Sequence, residues 1–142
     1  MRYLGLDLGS KTVGVSLSDE SGTIASTYKT IFYSDNDKLL IALKEIIDLF
    51  NIKTIILGFP KNMNNSIGPK GLLTLEFKDL LEKKFAVDVF MQDERLTTKQ
   101  ATFYMLAADV SRKKRKKKID SLAANIILQT YLDKMKGRIE NE

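Results

Sequence analysis

Cysteine and histidine are both absent from this chain of 142 residues. The first absence removes thiol nucleophiles, disulfides and thiolate metal sites. The second removes imidazole ligands and every acid–base mechanism that relies on histidine. Any catalysis must then run on carboxylates. A chain without cysteine also fits a reducing compartment. No run of about 18 apolar residues is present to span a bilayer, and Met1-Arg2-Tyr3-Leu4 opens directly into a strand-like segment rather than a signal peptide. These absences lead us to expect a cytoplasmic protein with no membrane partner.

What is present suits one compact domain over residues 1–142, because 44% hydrophobic content at this length fills a single core. The net charge is +5, yet Arg112-Lys113-Lys114-Arg115-Lys116-Lys117-Lys118 alone carries +7, so the remainder sums to 5 − 7 = −2. The basicity is local. A local positive field is what a polyanion would meet, whereas a charge run with no such partner is an ordinary solvated loop.

Along the chain, Arg2 to Leu8 and Thr12 to Ser18 read as a hairpin around Gly9-Ser10-Lys11, and Thr23 to Ile31 as a third strand. Ser34-Asp35-Asn36-Asp37 looks like a helix cap, followed by Leu39, Leu40, Leu43, Ile46, Ile47 and Phe50 at helical spacing. Lys53 to Leu57 reads as a buried strand ending at Gly58-Phe59-Pro60. A polar loop follows, then a helix over Lys70 to Lys84, a strand over Ala86 to Met91 and a further helix after Leu96, capped by Thr97 or Thr98. The basic run comes next, and a last helix from about Ile119 to Lys136 presents a broad apolar face. The order βββαβαβαα predicts an α/β fold with an antiparallel start and a parallel finish.

Three places carry carboxylates that ask for an explanation. Asp7 lies within the apolar strand Tyr3-Leu4-Gly5-Leu6-Asp7-Leu8, where a charge is costly to bury unless it is paired or binds a metal; the alternative is a cap on the Gly9 turn. Asp93-Glu94-Arg95 follows the strand ending near Met91, at the carboxyl edge where open α/β sheets place their sites; alternatively, Arg95 pairs with a neighbouring acid in a surface loop. Asp120 opens the last helix on the face of Ala123, Ala124 and Ile127, and an acid in a first turn also offsets the macrodipole. Carboxylates from a central strand, a neighbouring strand end and a packed helix can converge. Oxygen clusters of that kind hold magnesium, and two such ions can drive an in-line phosphoryl displacement without histidine or cysteine.

The chain resembles the YqgF/RuvX family, whose members are described as Holliday-junction resolvases and as nucleases maturing the 5′ end of pre-16S rRNA. The resemblance rests on Gly5-Leu6-Asp7-Leu8-Gly9-Ser10-Lys11, Gly14-Val15, Gly58-Phe59-Pro60 with Asn62-Met63, Asp93-Glu94-Arg95-Leu96-Thr97-Thr98, and Ile119-Asp120 followed by Ala123-Ala124 and Ile127-Leu128-Gln129. It covers nearly the whole chain. It implies an RNase H-like three-layer fold, with a mixed five-stranded sheet and helices on both faces. It also implies a phosphodiester hydrolase in which Asp7, Glu94 and Asp120 bind Mg2+ or Mn2+, with Asp93 as the alternative to Glu94. The family commonly has Arg where this chain has Thr12, and Gly where it has Asn65.

The expected partner is nucleic acid, either structured RNA such as pre-rRNA or branched DNA. Lys11, Arg95 and the run Arg112, Lys113, Lys114, Arg115, Lys116, Lys117 and Lys118 are the candidate phosphate contacts. Neutralising three to four phosphates would give log K a slope of about −3 against log salt on duplex DNA. Two rival readings stand beside the nuclease. One is a non-catalytic rRNA-binding module. The other is a nucleotide-binding domain of actin or sugar-kinase type, suggested by Asp7-Leu8-Gly9-Ser10-Lys11 with Gly14-Val15, although those folds close two domains over the nucleotide and this chain has length for one. Whether the chain is a monomer or a homodimer is open at this level.

Overall fold

The computed structural model describes residues 1–60, 67–93 and 112–140, with the side chains of 112–121 and 138–140 excepted. Strands β1 (Tyr3–Leu8), β2 (Thr12–Ser18) and β3 (Ala25–Phe32) form an antiparallel meander. Helix α1 (Asn36–Phe50) then leads to β4 (Thr54–Phe59), α2 (Pro69–Lys84), β5 (Asp88–Asp93) and α3 (Arg112–Glu140). The five strands lie in the order β3-β2-β1-β4-β5, with β4 parallel to both β1 and β5. The first two strands and the first two helices fall where the sequence pattern puts them, and the third strand starts two residues later than expected, at Ala25. The helix expected after Leu96 lies outside the described residues.

Local chemistry explains the main boundaries. Asp35 caps α1 through a 2.8 Å bond from the Lys38 amide, and the helix stops at Asn51 in the left-handed region, whose amide bonds back to the Ile47 carbonyl. Pro69 sits at the start of α2, where a missing N–H costs nothing. In β1 the odd and even residues part company. Leu4 and Leu6 are fully buried beneath α1 and α2 with Leu39, Leu43, Phe77 and Leu81, while Tyr3 packs on the opposite face with Ile56, Ile127, Leu128 and Leu132. One sheet therefore separates two apolar layers, with α1 and α2 on one side and α3 on the other.

Two further expectations change. The basic run is not a loop: Arg112 to Lys118 form the first turns of α3, and Asp120 lies more than two turns inside that helix rather than opening it. An acid that deep no longer meets the positive end of the macrodipole, which acts within the first turn, so that explanation of Asp120 falls away. The fifth strand runs two residues later than its β-branched core suggests, from Asp88 to Asp93, because β4 pairs along its whole length and takes Asp93 opposite Phe59.

The β2–β3 turn is closed by Asp19, whose carboxylate accepts bonds from the Ser21 hydroxyl, the Thr23 amide (2.8 Å) and the Ile24 amide (3.0 Å). The Ser21 bond first, then the two amides, hold this acid well below the usual carboxylate range. A depressed folded-state pKa stabilises the fold fully above the unfolded value of about 3.9, and that contribution is lost as pH falls toward the folded value. Urea midpoints should therefore show Asp19→Asn less stable than wild type near about pH 6, with the gap closing below about pH 3. A gap independent of pH would assign the turn's stability to something other than this charge.

Candidate nucleic-acid cleavage site

Asp7 lies on the central strand of the sheet, half-buried, two residues beyond Gly5 and on the same face. That face is the one α3 covers. A Cβ placed on Gly5 would come within 2.3 Å of Ser16 Oγ, 2.8 Å of Leu128 Cβ and 3.1 Å of the Ala124 carbonyl. Ser16 Oγ donates to that carbonyl at 2.9 Å, deep in the interior. Lower down, Tyr3 meets Tyr131 with ring centroids 6.3 Å apart. These contacts fix the direction of α3 over β1: as the chain climbs from Tyr3 to Gly5, the helix residues above it descend from Tyr131 to Leu128 and Ala124. Gln129 ties the same helix to β3, accepting from the Ala25 amide (2.8 Å) and donating to the Thr23 carbonyl (3.0 Å).

The neighbour of Asp7 on β2 lacks a side chain. Gly14 is its register partner on β2, and on β4 the paired register ends at Leu6 with Leu57, the residue before Gly58. Beyond Gly58 comes Gln92 of β5, whose Oε1 is 3.3 Å from Lys134 Nζ. Beyond Leu8 the chain turns at once, with the Gly9 amide bonded to the Thr12 carbonyl at 2.7 Å. Tyr33 braces this turn, its hydroxyl donating to the Gly9 carbonyl (2.9 Å) and its amide to the Lys11 carbonyl (3.1 Å). Partial burial pushes the Tyr33 phenol above its ordinary pKa, so it stays a donor. Sequence reading missed Tyr33 and Gln92, which carry no motif, and the close approach at Gly5, since each matters through a contact distant in sequence.

The other expected residues are distributed as follows. Asp93 ends β5, but strand alternation puts it with Val89 on the α1/α2 side, while Phe90 and Gln92 face α3. Glu94 and Arg95 lie outside the described residues. Asp120 lies within α3, one helical turn before Ala124. Lys11 is exposed in the turn after Asp7, and the seven basic residues from Arg112 to Lys118 begin α3. Among the described residues no three acids come together, as Asp7 is the one member of the proposed triad whose side chain is described.

A mixed sheet in this order, sandwiched between helices and carrying an acid on its central strand beneath a long last helix, defines the RNase H-like class. Solved structures agree on the fold. Thermus thermophilus RuvC in complex with a Holliday junction superposes with a TM-score of 0.59 at 16% identity, over 96% of each chain. The fowlpox virus resolvase bound to junction DNA superposes with a TM-score of 0.59 at 12% identity, over 95% of this chain and 99% of that one. A family profile described as "RuvX: Holliday junction resolvase" matches residues 1–134. Proteins named "Putative pre-16S rRNA nuclease" from Bacillus subtilis (strain 168) and Geobacillus sp. (strain WCH70) are 51% and 50% identical. They cover 95% and 94% of this chain, with 99% and 98% of their own lengths. The chain belongs to the RuvX family of RNase H-like nucleases.

Proposed function

We propose that the chain is a metal-dependent endonuclease that trims the 5′ end of precursor 16S rRNA, with Asp7, Glu94 and Asp120 as its metal-binding carboxylates. The observation that carries the site is the direction of α3 over β1. One strand repeat beyond Gly5 is Asp7, and one helical turn beyond Ala124 in the same sense is Asp120. Steps of about 6.6 Å along a strand and about 6 Å along a helix bring the two acids to the same level. Alternation in β5 favours Glu94 over Asp93 as the third ligand. Asp93 faces the α1/α2 layer, away from Asp7 and α3.

The donor set fits a hard divalent cation, since it offers carboxylate oxygens and the chain has no thiolate or imidazole ligand. Nucleases of this fold generally work with divalent ions, and Mg2+ or Mn2+ both suit such ligands. Bound there, the ion would lower the pKa of water and offset charge on the scissile phosphate. The chain's own part is to hold three carboxylates from three elements, with Asp7 paired on β2 to a glycine, Gly14. Seven cations at the positive end of α3 repel one another and the helix dipole, a cost that a phosphate backbone relieves. The rRNA assignment follows relatives at half identity over nearly the full chain, and the family description supports a junction as the second substrate. The protein is taken to act in the cytoplasm, and among the described residues no helix is long and apolar enough to cross a membrane.

The test is cleavage of a labelled precursor-rRNA 5′ fragment and a four-way DNA junction in parallel, with Mg2+ or Mn2+. Glu94→Gln should abolish cutting and Asp93→Asn should leave it within about threefold, since only the former removes a metal ligand. The reverse pattern would exchange the two acids. Tight binding with no cutting of either polymer under any metal would favour the non-catalytic rRNA module.

A further inference from the structure

Phe90 sits on an edge strand with 48% of its surface exposed, yet its ring is held in place. It stacks on Tyr131 at 6.3 Å with an interplanar angle of 20°, and Tyr131 leans on Tyr3. An aromatic left in solvent on a sheet edge is an aggregation hazard unless something covers it. Its surroundings indicate what does. The exposed Lys134 donates to Gln92, two residues on from Phe90 along the same face of the strand. A phosphate beside the ring would therefore find a cation one strand repeat away, at Gln92, on the side toward Asp7. The register runs Phe90, Ile56, Gly5 across the three strands, and Asp7 lies one repeat beyond Gly5. Two strand spacings and one repeat place Phe90 about 12 Å from Asp7.

We propose that Phe90 is a stacking platform for an unpaired base of the nucleic acid being cut, with Lys134 contacting the adjoining phosphate. The proposal rests on the nuclease reading of the Asp7 site and adds the form of substrate that site takes: a single-stranded segment passing over the β4–β5 edge. Bases within a duplex are already stacked and offer the ring no free face, whereas every unpaired base has one, so the platform selects strandedness and not sequence. Rigid support from Tyr131 spares the entropy of ordering the ring on binding.

Binding can be read without cutting, in the absence of added metal, so failure here and failure of the nuclease reading are separable. The probe is a labelled single-stranded RNA of about 12 nucleotides against a duplex of the same sequence. Phe90→Ala should weaken the single strand about tenfold and the duplex by less than twofold, with an unchanged circular dichroism spectrum. The chain has no tryptophan, so Phe90→Trp adds a lone reporter whose emission the single strand should quench and the duplex should not. Equal effects on both polymers, no effect of Phe90→Ala, or unquenched emission at saturation would each overturn the platform. So would a dimer that Phe90→Ala converts to monomer, as the ring would then cover a second copy of the chain.

Discussion

Asp7→Asn should lower metal-dependent cleavage by about 10³-fold or more while the protein still folds and still binds nucleic acid. The size follows from what is removed. A carboxylate that anchors a divalent ion at a reacting phosphate carries several kcal/mol of charge stabilisation, and each 1.36 kcal/mol is tenfold in rate. Asn keeps the shape and one oxygen but loses the charge. Binding should hold or tighten, because Asp7 is an anion that a phosphate must approach and the basic start of α3 is untouched. Calorimetric titration with Mn2+ on both proteins separates loss of the ion from loss of the RNA. Full activity in Asp7→Asn would remove the carboxylate-cluster mechanism altogether; absence of cutting in wild type as well would leave only the binding module.

Gly5→Val should unfold more of the protein than any catalytic substitution. The first added carbon would meet the Ser16 hydroxyl at 2.3 Å, the Leu128 Cβ at 2.8 Å and the Ala124 carbonyl at 3.1 Å. The hydroxyl can rotate away at the cost of its bond to Ala124, but the other two belong to the frame of α3, so the helix itself must lift. Overpacking of this kind costs about 1–3 kcal/mol and more where backbone must move, which for a chain of this size is a fall in Tm of roughly 10 °C. If the proposed site is right, lifting α3 also draws Asp120 away from Asp7, so cleavage should fall even below the melting range. Gly137→Ala supplies the contrast within the same helix. A Cβ there meets nothing within 4 Å, so only helix propensity acts and stability should rise by about 0.5–1 kcal/mol. Equal effects at both positions would show that the packing of α3 on β1 is not what limits stability.

Much of this is legible in the sequence alone. Alternating apolar residues in Tyr3 to Leu8 and Thr12 to Ser18 had one sheet register open to them, because slipping by one residue would turn Leu4 and Leu6 toward the wrong layer. The cap at Asp35 and the stripe from Leu39 to Ile47 likewise specified α1. Asp7 stood out as a charge inside an apolar strand. The start of α3 was not legible, since seven consecutive cations lack an apolar period and read as loop; continuity with the packed face from Ala123 to Leu132 extends the helix through them.

The sequence by itself marked carboxylates as the candidates for chemistry, showed a local positive charge suited to a polyanion, and set strands that precede and alternate with helices in an α/β order. Composition and periodicity act locally, and those are local facts. Tertiary structure decided the rest: that α3 descends as β1 climbs, that Gly5 is where they touch, that Asp93 and Asp7 face opposite layers, and that Tyr33 braces the turn after Asp7. Each of these depends on contacts between residues far apart in the chain, or on the parity of a strand whose first residue the sequence does not mark. The polarity of one helix on one strand, seen where a glycine leaves no room for a side chain, is what puts Asp120 of α3 one turn from Ala124 and Asp7 one repeat from Gly5, the arrangement on which the proposed site rests.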